Sequence, residues 1–212
     1  MEESNRKQLF VRDALPSQWL IYAEELGEAA EALWARMGQT VDLHIENRPD
    51  GTVHMEKATG HTRAYILLAG LSLENILKAM LIADDPTLID AGSLARSLKS
   101  HKLMELAAAV LGLSLSEDEQ RILRICQDAI PYWGRYPVPL RYNGIKAKEA
   151  ATSEFREVYR SLHYRLCKAV YETVKDGWDS GVGPKTREVR STRYGDEVDV
   201  KKPFPWAQED GS

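Results

Sequence analysis

Hydrophobic residues recur at helical spacing over several long stretches of the chain. Residues 17 to 36 carry an apolar stripe on one face and glutamates on the other, with Ser17 placed to cap the helix. Residues 61 to 83 are apolar almost all round, which is typical of a helix buried among others. Glu74 and Lys78 are the only charged residues inside its run "AYILLAGLSLENILKAMLI". They stand four apart, in the order that favours an ion pair.

The hydrophobic period changes to two between residues 41 and 57, which predicts a β-hairpin. Its turn is Arg48-Pro49-Asp50-Gly51-Thr52, in which Pro fixes φ, Asp can bond its own backbone and Gly accepts the left-handed conformation. One register places all the apolar residues on one face. Its central pairs are Ile45 with Met55, Glu46 with His54, and His44 with Glu56.

Three further helices are predicted, at residues 101 to 111, 116 to about 130, and about 153 to 174. Ser116 and Glu119 form a capping box for the second of them, and Pro131 is expected to end it. The stretch between the last two helices, "AIPYWGRYPVPLRYNG" (129–144), is aromatic, basic and rich in proline. We interpret it as an extended crossover that also carries a site residue, Arg135, which is the predicted partner of Glu74 or of a bound phosphate.

The predicted fold is therefore mainly α: a bundle of about five helices with one inserted β-hairpin at about 41–57. One domain is expected over residues 1–178, followed by a poorly ordered charged tail at 179–212, where periodicity is lost. The tail's "PFPWAQ" segment offers a surface for a protein partner.

Composition narrows the class of protein. The chain has 212 residues, a net charge of −4 and two cysteines in helical patterns. Reduced, buried thiols and a cytoplasmic location are expected, with no membrane partner. The bulk charge gives no reason to bind nucleic acid, but residues 135 to 168 carry eight bases against three acids, a local excess of five. Glycine-rich nucleotide loops, zinc-spaced cysteine pairs and nucleophile elbows are absent from the sequence.

Three groups of residues are candidates for a site. The hairpin offers a weak alternative metal site, because imidazole and carboxylate ligands share its polar face: His44, Glu46, His54 and Glu56. A solvated face of cross-strand pairs is the competing interpretation. Glu74 and Lys78 form either a structural ion pair or a polar groove for a phosphate.

The third group consists of arginines followed by a histidine. Arg96 precedes His101 by five residues, and Arg156 precedes His163 by seven on the last helix, with Arg160 between them. Histidine can move the proton of a ribose 2′-hydroxyl and arginine can stabilise a charged phosphorane. An ordinary solvated basic face remains the alternative for the last helix.

The order of three short motifs resembles the HEPN-like helical family, which is linked to prokaryotic defence and toxin–antitoxin modules. These motifs are "AGLSLENILKAMLI" with Glu74, Lys78 and Ala79, "SHKL" with His101 and Leu103, and "WGRYPVP" with Arg135, Tyr136 and Pro137. The resemblance covers about residues 61 to 175. It implies a helical bundle, frequent homodimers and, in active members, metal-independent RNA cleavage by an Arg–His pair, without a cofactor.

We therefore expect a protein that binds or cleaves RNA, as a homodimer, in a defence or toxin–antitoxin setting. The expected cleft is lined by Glu74, Lys78, His101, Arg135 and Tyr136, with a basic wall of Arg156, Arg160 and His163; the catalytic candidates are His101, His163 and Arg156. Active members place Asn or Asp after the catalytic arginine, whereas Ser97 follows Arg96 and Glu157 follows Arg156 here. The alternative is a non-catalytic interaction or regulatory module, an antitoxin or scaffold that keeps the fold.

Overall fold

The computed structural model describes residues 3–37, 41–59, 61–90, 92–135, 150–181, 185 and 193–194. Over these residues the chain is mainly helical with one two-stranded antiparallel sheet, which confirms the predicted fold class. The helices are α1 (Glu3–Asp13), α2 (Pro16–Trp34), α3 (Thr62–Asp84), α4 (Thr87–Asp90), α5 (Leu103–Ala109), α6 (Glu117–Asp128) and α7 (Ser153–Val174). Strands β1 (Val41–Asn47) and β2 (Val53–Thr59) separate α2 from α3. A 3₁₀ turn (Arg96–Lys99) precedes α5, and a π-helical turn (Ala129–Trp133) follows α6.

The N-terminal part of the chain differs from the prediction. Helix α1 was not predicted, because its sequence is mostly polar and its buried residue, Val11, belongs to no helical stripe. Helix α2 begins at Pro16, after the N-cap Leu15, and not after Ser17. Proline suits the first turn because that position needs no N–H donor. Ser17 is buried inside the helix instead.

Helix α3 is the centre of the bundle and contacts α2, α5, α6 and α7. It runs antiparallel to α2: Trp34 packs on Tyr65 at 5.3 Å between ring centroids, and the Ser72 hydroxyl donates to the Ala23 carbonyl at 2.6 Å. Its length and mean hydropathy of 1.8 also meet the requirement for a membrane span. The most apolar 18-residue stretch of α3 is 67% buried inside the bundle, so α3 has the position of a core helix.

The hairpin has the predicted register, with Ile45 opposite Met55, Glu46 opposite His54, and His44 opposite Glu56. In its turn, Gly51 takes φ of 80° and Asp50 Oδ1 accepts from the Thr52 backbone N–H at 2.9 Å. On the apolar face, Ile45, Val53 and Met55 are more than half exposed. The two strands pair with each other and pack mainly on each other.

Helix α6 starts at the predicted capping box, in which Ser116 and Glu119 exchange both hydrogen bonds. The α-helix itself ends at Asp128, ahead of Pro131, but residues 129–133 stay helical where an extended crossover was predicted to begin. The helix widens into the π-helical turn, whose Gly134 N–H donates to the Ala129 carbonyl five residues back at 3.0 Å. Proline has no backbone N–H, and in an α-helix its ring clashes with the carbonyl of the preceding turn. The wider π-helical turn accommodates both. A Cβ on Gly134 would lie 2.7 Å from that carbonyl oxygen, so the turn needs glycine.

Helix α7 is capped by Thr152, whose hydroxyl accepts from the Phe155 N–H, and it buries the predicted stripe of Phe155, Tyr159, Leu162, Leu166, Val170 and Val174. Most of the predicted tail, 179–212, lies outside the described residues. Two of its described residues contact the bundle: Arg193 pairs with Glu28, and Tyr194 packs between Tyr164 and Tyr171 at 5.6 Å from each ring.

Candidate functional site

Glu74 and Lys78 form a buried ion pair on α3. The Lys78 ammonium donates to Glu74 Oε1 at 2.6 Å, and each side chain is only 7% exposed. The ammonium also lies 5.8 Å from the centre of the Trp19 ring on α2, within the range of a cation–π contact. Because an unpaired charge is costly in such a site, each member of the pair requires the other.

His101 is the third member of this cluster. Its Nδ1 lies 2.9 Å from Glu74 Oε2 and 3.1 Å from Oε1, although 27 residues separate the two in the chain. Two fully buried leucines fix the segment on either side of it: Leu98 in the 3₁₀ turn and Leu103 at the start of α5. The chain between them is held at the surface of α3, which brings the imidazole onto the carboxylate.

The geometry of His101 suits proton transfer. An Nδ1–H donated to Glu74 fixes the tautomer and the ring orientation, and leaves Nε2 as the reactive nitrogen. The side chain is 55% exposed, whereas its partner carboxylate is buried. The cluster we call the His101 cluster (Glu74, Lys78 and His101) is therefore an oriented imidazole at the surface, backed by a carboxylate whose charge Lys78 balances.

The second group of catalytic candidates belongs to the contact between α2 and α7. Arg156 donates to Glu31 Oε2 from Nε at 3.0 Å and from its terminal nitrogen at 2.5 Å, and its guanidinium lies 5.2 Å from the Trp34 ring centre. Arg160 approaches the same carboxylate at 3.8 Å. These contacts commit Arg156 to joining the two helices.

His163 packs into the same contact. Its Nε2 is 3.4 Å from the Ala23 carbonyl oxygen, and a Cβ on Gly27 would lie 2.7 Å from that nitrogen. Gly27 is therefore what lets α7 approach α2 so closely. Burial lowers the pKa of His163, against smaller opposing effects of the Ala23 carbonyl and Glu31.

The His101 cluster and the α2–α7 contact occupy different sides of α3. Ser72 bonds the same Ala23 carbonyl that His163 approaches, so it marks the α2–α7 side. Glu74 follows two residues later, which places it about 200° further around a helix of 3.6 residues per turn. The predicted cleft is therefore two separate places: the His101 cluster on one side of α3, and the predicted basic wall at the α2–α7 contact on the other.

A groove of about 830 Å³ lies along the α2–α7 contact, but its charge is wrong for a phosphate. It is lined by four carboxylates, those of Glu24, Glu28, Glu31 and Glu157, and two guanidinium groups, those of Arg160 and Arg193. Among the lining residues, four minus two leaves an excess of two negative charges, and counting Arg156, which binds Glu31, leaves an excess of one. The groove is therefore less favourable for a polyanion than the surface around His101.

The lowered pKa of His163 predicts a pH-dependent stability. Below the ordinary value of 6.5 the unfolded chain takes up a proton that folded His163 resists, so the free energy of unfolding falls as the pH drops through that value. We expect His163→Gln to remove part of this fall. Urea midpoints measured at pH 7.5 and 5.5 give the comparison, and an equal loss in wild type and variant would contradict the assignment.

The structure places Arg135 away from the expected partner. Its side chain is exposed, directly after the π-helical turn, and it forms no ion pair with the residues that the structure describes. Glu74 is occupied by Lys78 and His101 instead. The expected Glu74–Arg135 contact is therefore corrected. Tyr136, the other binding residue predicted in this stretch, lies outside the described residues.

The hairpin brings its four candidate ligands into adjacent cross-strand pairs. The side chains of Glu46 and His54 are described; those of His44 and Glu56 are not. Among the described residues, no group of three or more His, Cys, Asp or Glu side chains is arranged to hold a metal ion. The register is common to the metal site and to a solvated face of paired residues, so the choice between these two interpretations stays a prediction.

Two residues that support the His101 cluster were not predicted from the sequence. Trp19 reaches Lys78 from α2, and Leu98 anchors the 3₁₀ turn before His101. Neither has a characteristic spacing from the residue it supports; the antiparallel α2–α3 packing creates the first contact. The resemblance to the HEPN-like family rests on the order of three short motifs, of which the first two carry this cluster. No protein-family model, curated protein or solved structure matches the chain.

Proposed function

We propose that this chain binds single-stranded RNA at the surface around His101 and cleaves it by proton transfer through that residue. The observation that carries the proposal is the 2.9 Å contact between His101 Nδ1 and a buried carboxylate, with the ring's other edge exposed. An oriented imidazole can take the proton of a ribose 2′-hydroxyl, and the 2′-oxygen then bonds to the neighbouring phosphorus. The bond from that phosphorus to the 5′-oxygen of the next nucleotide breaks, and the imidazolium gives its proton to this leaving oxygen, so the products are a 2′,3′-cyclic phosphate and a free 5′-hydroxyl. The reaction needs the 2′-hydroxyl, so it selects RNA over DNA.

The charge around His101 supports a phosphate backbone as the ligand. Residues 96 to 102, "RSLKSHK", carry Arg96, Lys99 and Lys102 and no acidic residue. All three bases are exposed, and only Lys102 has an ion pair to a described residue, Glu105 at 2.7 Å. The segment carries +3, and Glu105, which pairs with Lys102, reduces the local charge to +2. On a chain of net charge −4, this concentrates the attraction for phosphate at this surface.

The biological setting that accompanies this proposal is prokaryotic defence or a toxin–antitoxin module, in which the chain acts as a homodimer. Its support is the order of the motifs around Glu74, His101 and Arg135. The buried pair, the histidine and the start of α5 form one cluster, which gives that order a physical basis.

A non-catalytic interaction module is the second candidate function, and one observation favours it. Arg156 and Arg160 are tied to Glu31, and His163 is held between α2 and α7, so these three residues stabilise the bundle. The exposed Arg96 is then the arginine left to support His101 among those predicted to act with a histidine. An antitoxin or scaffold would keep the RNA-binding surface, or a protein-binding one, without the reaction.

The salt dependence of RNA binding tests the proposed function. If Arg96, Lys99 and Lys102 each contact one phosphate, the logarithm of affinity falls with the logarithm of salt concentration at a slope of about −2. We expect the double variant Arg96→Ala/Lys99→Ala to reduce the magnitude of that slope by about 0.7 for each lost contact. Fluorescence anisotropy of a labelled single-stranded oligoribonucleotide measures it.

Arg48→Ala provides the matched control, because Arg48 is an exposed base in the hairpin turn, and its turn hydrogen bonds are made by the backbone. It should leave the slope unchanged. Binding that is absent, or insensitive to salt, would rule out the proposed RNA surface.

A further inference from the structure

A second, smaller groove, with a volume of about 380 Å³, is lined by Ser100, the residue before His101. The rest of its lining comes from the end of α3, the 3₁₀ turn and α5: Leu81, Arg96, Ser97, Glu105, Leu106 and Ala109. Ser100 immediately precedes His101, so their Cα atoms are about 3.8 Å apart. The volume falls within the range of about 300–1,000 Å³ that small-ligand sites occupy.

The groove combines an apolar floor with polar groups along one edge. Leu81 and Leu106 are 8% and 3% exposed, and they form the floor together with Ala109. Arg96 is exposed and makes no ion pair with a described residue, so its guanidinium is available to an anion. Ser100 Oγ accepts from the Lys102 N–H at 3.1 Å, which leaves its hydroxyl proton to donate.

We propose that this groove is the base-binding subsite of the RNA surface, and that it holds one unstacked nucleobase while Arg96 contacts the adjoining phosphate. An apolar slot for a base beside a guanidinium for its phosphate is how proteins hold splayed-out nucleotides. The inference rests on the proposed function. It adds the position at which one base is fixed, in a groove whose lining residue Ser100 directly precedes His101.

Glu105 gives the subsite a preference among bases. One of its oxygens binds Lys102 at 2.7 Å, and a carboxylate retains further acceptor positions but has no donor. It therefore favours a base edge that carries an exocyclic amine, as adenine, cytosine and guanine do, over uracil. The expected ligand is a nucleotide of one of these three bases within a single strand, and adenine serves as the probe.

Two neighbouring alanines of α5 allow a matched test. Ala108 and Ala109 are both exposed in the last turn, but only Ala109 lines the groove. Ala109→Phe fills the groove and should weaken binding of an adenine-containing oligoribonucleotide about tenfold, whereas Ala108→Phe should bind like wild type. Circular dichroism establishes that both variants fold. Arg96→Ala offers a second variant that leaves the apolar floor intact.

The nature of the probe separates a base subsite from phosphate contacts alone. An oligomer in which one ribose lacks its base should bind wild type about tenfold more weakly than the intact oligomer. The Ala109→Phe variant should bind the abasic oligomer and the intact oligomer with equal affinity, because its groove is already filled. If the abasic and intact oligomers bind wild type equally, the base subsite is wrong.

Failure of the subsite and failure of the proposed function give different results. If wild type binds RNA and the Arg96→Ala/Lys99→Ala variant binds less, but both alanine-to-phenylalanine variants bind like wild type, the subsite is overturned and the RNA surface stands. If wild type binds no RNA, the proposed function fails and adenosine monophosphate becomes the probe. Changes in the NMR chemical shifts of the backbone amides of Ser97, Ser100 and Leu106 on addition of this nucleotide, abolished by Ala109→Phe, would support a nucleotide groove. The absence of such changes would overturn it.

Discussion

Replacing His101 with alanine is expected to lower the rate of RNA cleavage by about 100- to 10,000-fold, the usual contribution of a positioned acid–base group. The reason is the loss of the only imidazole that the described part of the chain orients against a buried carboxylate, at 2.9 Å. The rate should be measured on a labelled single-stranded RNA with a metal chelator present, so that trace metal-dependent nucleases make no contribution.

Two other histidine variants control for this experiment. His54→Ala removes an imidazole from the hairpin and should leave the rate unchanged, and His163→Gln should change stability more than rate. Equal cleavage by wild type and His101→Ala would show that another residue is responsible. If wild type binds RNA without cutting it, the chain is the non-catalytic module, with His101 as a binding residue.

The Lys78→Met substitution is expected to cost about 3–5 kcal/mol of unfolding free energy, because it leaves the Glu74 carboxylate buried without its cation. Methionine keeps the length and the apolar packing of the side chain, so the loss reports the charge. Urea unfolding at pH 7 measures it. We expect the double variant Glu74→Leu/Lys78→Met to recover most of the loss, since a buried pair replaced by apolar groups is often neutral.

An exposed pair of the same type is the control for Lys78. Lys102 and Glu105 lie three apart on the surface at 2.7 Å, with side chains 64% and 65% exposed. Lys102→Met should cost no more than about 1 kcal/mol, because solvent screens such a pair. Equal effects of Lys78→Met and Lys102→Met would contradict the burial argument.

The elements that the sequence predicts well are those whose cause is local. The hairpin register follows from alternation on both sides of a turn that needs Pro49 and Gly51, and the start of α6 follows from Ser116 and Glu119. The long helices follow from their apolar periods. Helix α1 has no clear period, and its packing is decided by tertiary contacts at Val11, which no local pattern reveals.

The candidate site was predictable in part. The sequence singles out Glu74 and Lys78 as charges in a buried helix and His101 at a helix start, and the structure brings these three together. It does not bring Arg135 to them, because the π-helical turn at Pro131 lengthens the helix and leaves Arg135 exposed at its end. Arg156 and Arg160 form ion pairs with Glu31, which lies 125 residues before Arg156 in the chain. No rule based on sequence spacing predicts a contact over that separation.

The hairpin is joined to the bundle at a place where the bundle is already closed. Trp34 near the end of α2 and Tyr65 near the start of α3 pack ring against ring at 5.3 Å, so α2 and α3 contact each other without the hairpin. The hairpin and the His101 cluster are thus separate structural units. We expect a chain in which a short link replaces β1 and β2 to keep the core packing and the contact between Glu74 and His101.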